Sequence, residues 1–426
     1  MDPTGSRIYY GYWLVGAAFL AQFVSLGIYS YVLSAFMVPM IDDLGWTRAE
    51  FTLSRSVGQL MMAATGLVVG GYVDRVGGRP LMLIGATIMS VALYMHSHVG
   101  ELWQWVVLNG VVLTIGCAMI GNLVVNVTLA KWFVERRGQA LAWSAMGVSM
   151  GGIIITPLVV FWIDSIDWRT TWQLLALCTA LIMYPVALMM RRVPEDHGLH
   201  PDGKTAAQVA AGQALAAQAD LARSLTRGQA LRTWTFYALV LAFGLFSINI
   251  VVVLLQAVPL LTDAGFTRND GAFCILVASI PALVSKPVWG FFIDRWPAQP
   301  LAAVSAAFTG LSLGAIVLAV EATDLSLIYV GFFCLGIGWG GMIPMQEVIW
   351  GSFFGRRHLG AVRSVGLPFS LLLGAGAPLL VSYYHDLMGT YFGALMAVAV
   401  LNVSSGVMLA FIPGPRPGRM PVQELF

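Results

Sequence analysis

The chain has 426 residues, of which 58% are hydrophobic and only 10% are charged, and its formal net charge is +2. Soluble domains carry about a quarter charged residues, so this composition excludes a water-soluble fold. The basic residues form no clustered basic face, which argues against binding of nucleic acid. We therefore predict a protein whose main partner is the lipid bilayer.

Twelve apolar runs of about 20 residues recur between short charged segments, and each is long enough to cross a bilayer as a helix. The runs are solidly apolar rather than alternating, so helices are expected instead of barrel strands. We predict an all-α membrane protein with twelve transmembrane helices, at residues 12–38, 50–72, 81–98, 103–130, 139–163, 170–190, 233–260, 270–293, 300–320, 325–350, 360–383 and 391–411.

The basic residues of the loops are divided unevenly between the two sides. Seventeen Lys and Arg residues fall in loops on one side, and only Arg48, Arg169 and Arg268 fall on the other. Because basic loops favour the cytoplasmic side, we expect both termini in the cytoplasm, in a multi-pass plasma membrane protein of the bacterial inner membrane. We predict an N-terminal six-helix half at 1–190, a cytoplasmic linker at 191–232, a C-terminal six-helix half at 233–411 and a cytoplasmic tail at 412–426.

An internal repeat supports this division. A shift of 220 residues places Pro39 on Pro259, residues 45–48 (GWTR) on 265–268 (GFTR), and residues 133–137 (FVERR) on 353–357 (FFGRR). One constant offset over more than 90 residues is hard to obtain by chance, so the halves are predicted to share one architecture.

The second helix of each half begins with a capping signal. Thr47 with Glu50 predicts a full capping box, and Thr267 with Asp270 predicts a weaker one because Asp is shorter than Glu. We interpret both as helix caps without a further role.

The same offset places residues 70–75 (GGYVDR) on 290–295 (GFFIDR). Two glycines here allow neighbouring helices to approach closely. Two aspartates stand at helix C-termini, which is unfavourable unless a cation or another helix N-terminus accepts the charge. We predict that this pairing holds a cytoplasmic gate in one state. The candidate gating residues are Gly70, Asp74, Arg75, Arg79, Gly290, Asp294 and Arg295.

These segments carry a family resemblance. Residues 70–79 (GGYVDRVGGR) resemble the loop signature of the major facilitator superfamily. Residues 131–133 (KWF), 136–140 (RRGQA), 191–198 (RRVPEDHG) and 354–360 (FGRRHLG) resemble its bacterial monocarboxylate-porter and oxalate/formate-antiporter branch. The resemblance covers nearly the whole chain. It implies two pseudo-symmetric six-helix halves, with a substrate site near the midplane on helices 1, 4, 7 and 10.

Lys286 and Glu347 are the two charged residues that lie deep within predicted helices. A buried ammonium needs a negative partner, and a substrate carboxylate is one. Alternatively, Lys286 reaches the cytoplasm or pairs with an internal acid. Its motif Lys286-Pro287-x-x-Gly290 resembles the Arg-Pro-x-x-Gly of monocarboxylate porters, whose cation pairs with the substrate. Glu347 is a candidate proton carrier, or a structural counter-ion for Lys286 or Arg363.

Polar residues at equivalent positions of the central helices fit a ligand cavity. Tyr29 matches Asn249, and Asn126 matches Gln346, at the same offset. Interhelical hydrogen bonds explain any one of them equally well. The candidate substrate-binding residues are Lys286, Asn126, Gln346, Tyr29, Asn249 and Asn122. Arg55 in helix 2 is a candidate for an anion vestibule, and Arg363 is expected to join the cytoplasmic cluster of Arg356 and Arg357.

The favoured function is a proton-coupled secondary transporter of a small organic anion, a monocarboxylate or related carboxylate, working as a monomer by alternating access. An exporter of amphipathic compounds and an anion exchanger are the alternatives. Eukaryotic porters of this branch carry a lysine in helix 1 and an acid one turn before the helix-8 cation. Helix 1 here has no lysine, and Ala282 occupies the second place. Either Glu347 takes the proton, therefore, or transport is exchange or uniport.

An enzyme is not expected. The sequence has no Gly-x-x-x-x-Gly-Lys-[Ser/Thr] loop for nucleotide phosphates, and no cofactor is implied. The histidines lack metal-ligand spacing with Cys or acid partners, so no metal site is expected. His96 and His98 are predicted to be surface residues.

Overall fold

The computed structural model describes residues 9–205, 208–209, 221 and 224–413. In these parts, twelve helices are long and apolar enough to cross a membrane, which confirms the twelve predicted spans. The first half contains α1 (Tyr10–Gly27, Ile28–Val32 and Leu33–Leu44), α2 (Arg48–Val76), α3 (Gly78–His96), α4 (Leu102–Trp105, Val106–Leu113, Thr114–Ile120 and Asn122–Trp132), α5 (Arg137–Ser165) and α6 (Trp168–Met189). The second half contains α7 (Trp234–Asp263), α8 (Arg268–Ile293), α9 (Ala298–Glu321), α10 (Leu325–Phe354), α11 (Leu359–Met388) and α12 (Phe392–Phe411).

Helices α1 and α4 are irregular. Each contains a π-helical segment, Ile28–Val32 in α1 and Val106–Leu113 in α4. Helix α4 is also interrupted at Gly121, whose φ of −81° and ψ of −163° are extended rather than helical. Such segments are frequent at functional sites, and both helices were predicted to line the substrate cavity.

Both predicted capping boxes are present. The backbone N–H of Thr47 donates to Glu50 (2.8 Å), and the N–H of Glu50 donates to the Thr47 hydroxyl (3.2 Å). The equivalent bonds between Thr267 and Asp270 measure 3.0 and 3.2 Å. The second box is therefore as complete as the first, because one helical turn brings the two residues close enough for the shorter Asp.

The two halves pack against each other along α2 with α11 and along α5 with α8. The start of the linker is anchored to the first half. The carboxylate of Asp202 accepts hydrogen bonds from the backbone N–H groups of Val134, Glu135 and Arg136, at 3.0 to 3.2 Å. Its acidic charge thereby caps the loop before α5 and ties the start of the linker to the first half.

His96 is not a surface residue, so that prediction is wrong. Its side chain is fully buried. The imidazole stacks on Trp172 (centroids 4.8 Å apart) and meets Trp105 edge-on at 5.1 Å. Two large aromatic side chains from α4 and α6 cover the end of α3, which a one-dimensional pattern does not reveal.

Candidate functional site

Two aspartates join the halves at the basic end of the bundle, formed by the α2–α3, α4–α5, α8–α9 and α10–α11 loops. Asp74, in the last turn of α2, accepts a hydrogen bond from the backbone N–H of Ala361 at the start of α11 (2.8 Å). Asp294, directly after α8, accepts from the N–H groups of Gly138 and Gln139 at the start of α5 (2.6 and 3.1 Å). Each carboxylate therefore lies at a helix N-terminus of the opposite half, where the helix dipole favours negative charge. We call these two contacts the latch.

Glycines bring the helix backbones of the latch together. A Cβ added to Gly70 would lie 2.2 Å from the carbonyl oxygen of Gly360. A Cβ added to Gly290 would lie 2.7 Å from the Cβ of Ala142. These distances are too short for any larger residue without a shift of the backbone. The structure is therefore closed at the basic end.

The two arms of the latch differ in charge. Asp74 forms an ion pair with Lys131 at 2.6 Å, and both side chains are buried. The residue equivalent to Lys131 in the second half is Gly351, and among the described residues no cation forms an ion pair with Asp294. Burial raises the pKa of Asp294 to about 6, although the two N–H groups of α5 favour its charged form. This arm therefore titrates near pH 6.

Three arginines of the predicted gating motif lie outside the latch. Arg75, Arg79 and Arg295 are exposed, and none of them forms an ion pair within the described part of the chain. The guanidinium of Arg295 lies over the ring of Phe291, 3.5 Å from its centroid. The aspartates and glycines of the motif thus meet the opposite half, whereas these arginines face the solvent.

Lys286 lies between the halves. It stands seven residues before the end of α8, roughly 10 Å from that end at a rise of about 1.5 Å per residue. Its side chain is 5% exposed, and its ammonium donates to the hydroxyl of Ser149 on α5 of the first half. In the described ranges no acidic side chain forms an ion pair with it. A buried cation here has a neutral partner only.

Glu347 and Arg363 form a buried ion pair. The Nε and Nη2 groups of Arg363 donate to the two carboxylate oxygens at 3.1 and 2.5 Å, and the side chains are 2% and 8% exposed. Of the roles left open for Glu347, this geometry fits the counter-ion of Arg363. The expectation that Arg363 joins Arg356 and Arg357 is wrong, because its guanidinium points inward to Glu347.

Asn126 belongs to a buried polar cluster within the first half. The Nε2 group of Gln22 on α1 donates to Asn126 Oδ1 (3.1 Å) and to the Ser144 hydroxyl on α5 (3.3 Å). Asn122 begins the last segment of α4, directly after the interruption. Gln22 Oε1, Asn126 Nδ2 and Asn122 Oδ1 are buried and have no hydrogen-bond partner among the described residues. Since buried polar atoms are normally bonded, this cluster can accept a polar ligand atom.

In the second half the equivalent positions differ. Asn249 is fully buried and accepts a hydrogen bond from the indole of Trp339 (3.0 Å), so its oxygen has a structural partner. Gln346 is 8% exposed and makes no side-chain hydrogen bond to a described residue. Gln346 is therefore the freer of the two amides.

Tyr29 and Arg55 lie together. Tyr29 is in the π-helical segment of α1, and the Arg55 guanidinium lies 4.2 Å from its ring centroid. Arg55 also donates to the backbone carbonyl of Tyr29. The cation is only partly buried, which leaves it able to attract an anion.

Sequence reasoning missed three residues of this region. Gln22 interrupts an apolar run and could have been selected on that ground. Ser144 and Ser149 carry no such signal, because serine is common in membrane helices and only the packing of α5 shows which serines face α1 and α8.

The family model of the Major Facilitator Superfamily matches residues 18–378. The oxalate:formate antiporter of Oxalobacter formigenes is 26% identical over 99% of this chain and 94% of its own length. Monocarboxylate transporter 13 of Rattus norvegicus is 23% identical, over 94% of this chain and 88% of its own. The uncharacterized MFS-type transporter YcxA of Bacillus subtilis is 21% identical over 89% of each chain.

Solved structures show the same fold. The proton:xylose symporter XylE, bound to 6-bromo-6-deoxy-D-glucose, aligns with a TM-score of 0.77 at 14% identity, over 95% of this chain and 96% of its own. The transporter FucP in the outward conformation aligns with a TM-score of 0.68 at 12% identity, over 93% and 98%. The chain therefore belongs to the Major Facilitator Superfamily, and it is a transporter and not an enzyme.

Proposed function

We propose that this chain transports a small organic anion, a monocarboxylate or related carboxylate, and that the ammonium of Lys286 binds its carboxylate. Lys286 is the observation that carries the proposal. It is 5% exposed, lies between the halves, and has the Ser149 hydroxyl as its partner. A cation at this depth is costly without a negative partner. Because no described acid pairs with it, a substrate carboxylate supplies the missing charge.

The names of two relatives support this ligand class. One is an oxalate:formate antiporter and the other a monocarboxylate transporter, and both align over at least 94% of this chain. Their identities of 26% and 23% leave the substrate open. The physical basis of the proposal therefore remains the unpaired cation.

Alternating access follows from the latch. We assign the basic end to the cytoplasm of a bacterial inner membrane, because the loops there hold most of the basic residues. In this state, then, the substrate site is closed toward the cytoplasm. Transport requires the bonds of Asp74 and Asp294 to break as one half rocks against the other.

The ion pair of Glu347 favours anion exchange over proton symport. Both carboxylate oxygens accept hydrogen bonds from Arg363, so Glu347 is engaged as the counter-ion of Arg363 in this state. When the halves rock without a bound substrate, the buried ammonium of Lys286 has no counter-ion. When a substrate is bound, its carboxylate and the ammonium of Lys286 neutralise each other. Exchange of one anion for another therefore avoids the costly empty transition. Proton symport requires the Glu347–Arg363 pair to open in another state.

Proteoliposomes test the proposal. Vesicles preloaded with oxalate, lactate or pyruvate should take up the same labelled anion faster than empty vesicles, whereas symport predicts uptake into empty vesicles driven by a proton gradient. Lys286→Ala should abolish saturable uptake in either mode. Lys204→Ala, which removes a partly buried lysine that already pairs with Glu135, is the matched control. Undiminished uptake at unchanged affinity in Lys286→Ala would refute the assignment of Lys286.

A further inference from the structure

A cavity of about 670 Å³ lies at the basic end, against the described ends of the linker. Residues of both halves and of the two ends of the linker form its wall. Most of the charged residues in this wall are basic. The basic residues that line it are Arg75, Lys131, Arg192, Arg227, Arg356 and Arg357. Asp74 and Glu195 are the only acids among its lining residues. Six cations face two carboxylates, so the wall has an excess of four positive charges.

Half of these cations already have acidic partners. Lys131 forms an ion pair with Asp74, and Arg356 forms one with Glu195 at 2.6 Å. Arg192 donates two hydrogen bonds of 2.9 Å to the carboxylate of Asp196. These pairs fix the shape of the cavity and neutralise its interior.

The other three cations are free of such pairs. Arg75, Arg227 and Arg357 form no ion pair to an acid in the part of the chain that the structure describes, and all three are exposed. They come from different parts of the protein: the end of α2, the end of the linker, and the loop before α11. Their mutual repulsion acts across the interface between the halves. An anion placed among them converts that repulsion into attraction.

We propose that this cavity binds a polyvalent, phosphate-bearing anion, and that the bound anion holds the two halves together at the basic end. Guanidinium groups bind phosphate oxygens in pairs, and this geometry suits phosphate better than a single ammonium does. A monovalent carboxylate would neutralise only one of the three free arginines. The volume is within the range of ordinary ligand pockets. Arg75 belongs to the first half and Arg357 to the second, and both line the cavity, so an anion bound between them favours closure of the latch.

Pyrophosphate is the probe for the test. The full chain in phosphatidylcholine nanodiscs should show a saturable rise in melting temperature with pyrophosphate and none with sodium chloride of equal ionic strength. The double variant Arg227→Gln/Arg357→Gln should bind about tenfold more weakly or worse, since it loses two charge-assisted contacts. Arg232→Gln removes an exposed arginine of the same region that does not line the cavity, and it should behave as the wild type.

A second readout tests the effect on the latch. Spin labels on Arg79 and Trp296, both exposed and one in each half, should shift toward the shorter distance when pyrophosphate binds. Binding without this shift would overturn the holding role. No saturable response, or an equal response in the double variant, would overturn the site itself.

Changing the lipid composition of the nanodiscs distinguishes a lipid headgroup from a soluble compound as the source of the phosphate group. If phosphatidylglycerol in the nanodiscs removes the pyrophosphate response of the wild type, a lipid headgroup occupies the cavity. If the response persists, a soluble phosphate compound does. Either result supports an anion site, and the melting experiment detects it whether or not the carboxylate proposal holds.

Discussion

Replacing Asp74 with Leu removes the carboxylate, and with it the hydrogen-bond acceptor, from one arm of the latch while keeping the shape of the side chain. The backbone N–H of Ala361 then loses a charged acceptor at 2.8 Å, a bond worth about 1.5–3 kcal/mol. That corresponds to roughly one to two orders of magnitude in the ratio of open to closed protein at the basic end. Lys131 also becomes a buried, unpaired cation, which should lower the free energy of unfolding by about 3–5 kcal/mol.

These two effects can be separated. The distance between spin labels on Arg79 and Trp296, measured by pulsed electron paramagnetic resonance in a chain without native cysteines, reports opening; the melting temperature reports stability. Adding Lys131→Met to Asp74→Leu should restore most of the melting temperature and leave the basic end open, because the cross-half bond is still missing. A double variant that closes as the wild type does would refute the role of the Asp74–Ala361 bond.

Three further perturbations give sharp outcomes. Burial raises the pKa of Asp294 to about 6 in the closed state, above the 3.8 of an exposed aspartate, so protonation favours closure. The wild type should therefore open as the pH rises through about 6, whereas Asp294→Asn should show no such change in spin-label distance between pH 5 and 8. Glu347→Gln leaves Arg363 buried without a counter-ion and should cost about 3–5 kcal/mol of stability; a melting temperature equal to that of the wild type would contradict the ion pair. Gly70→Leu places its Cβ 2.2 Å from a backbone oxygen of α11 and should hold the basic end open, whereas Gly71→Leu, whose Cβ meets open space, should close normally.

The sequence repeat located the latch aspartates because the same local pattern occurs twice. Helix-end glycines and carboxylates are local features, so Asp74 and Asp294 could be selected before any packing was known. The backbone N–H groups that bind these carboxylates could not be located from the offset of 220 residues alone. Gly138 and Gly360, the second residues of the capped helices, are 222 residues apart, because the second half has two extra residues, His358 and Leu359, at this point.

The partners of the buried charges depend on packing. Glu347 and Arg363 lie 16 residues apart on two helices, and only the rotation of α10 and α11 brings their side chains together. The interruption of α4 at Gly121 was equally hidden, since glycine is common in membrane helices. Lys286 could be chosen from the sequence, because a lysine inside an apolar run is conspicuous wherever its partner lies. Its neighbour Ser149 could not.

The central claim is that a negative group on the substrate completes the environment of Lys286. Thermal denaturation of Lys286→Met, with and without saturating carboxylate, tests it most directly. Removing an unpaired buried charge should leave the ligand-free protein as stable as the wild type or more so, while the rise in melting temperature caused by the carboxylate should disappear. A less stable ligand-free variant that is still stabilised by the carboxylate as the wild type is would show that Lys286 serves the fold and not the substrate.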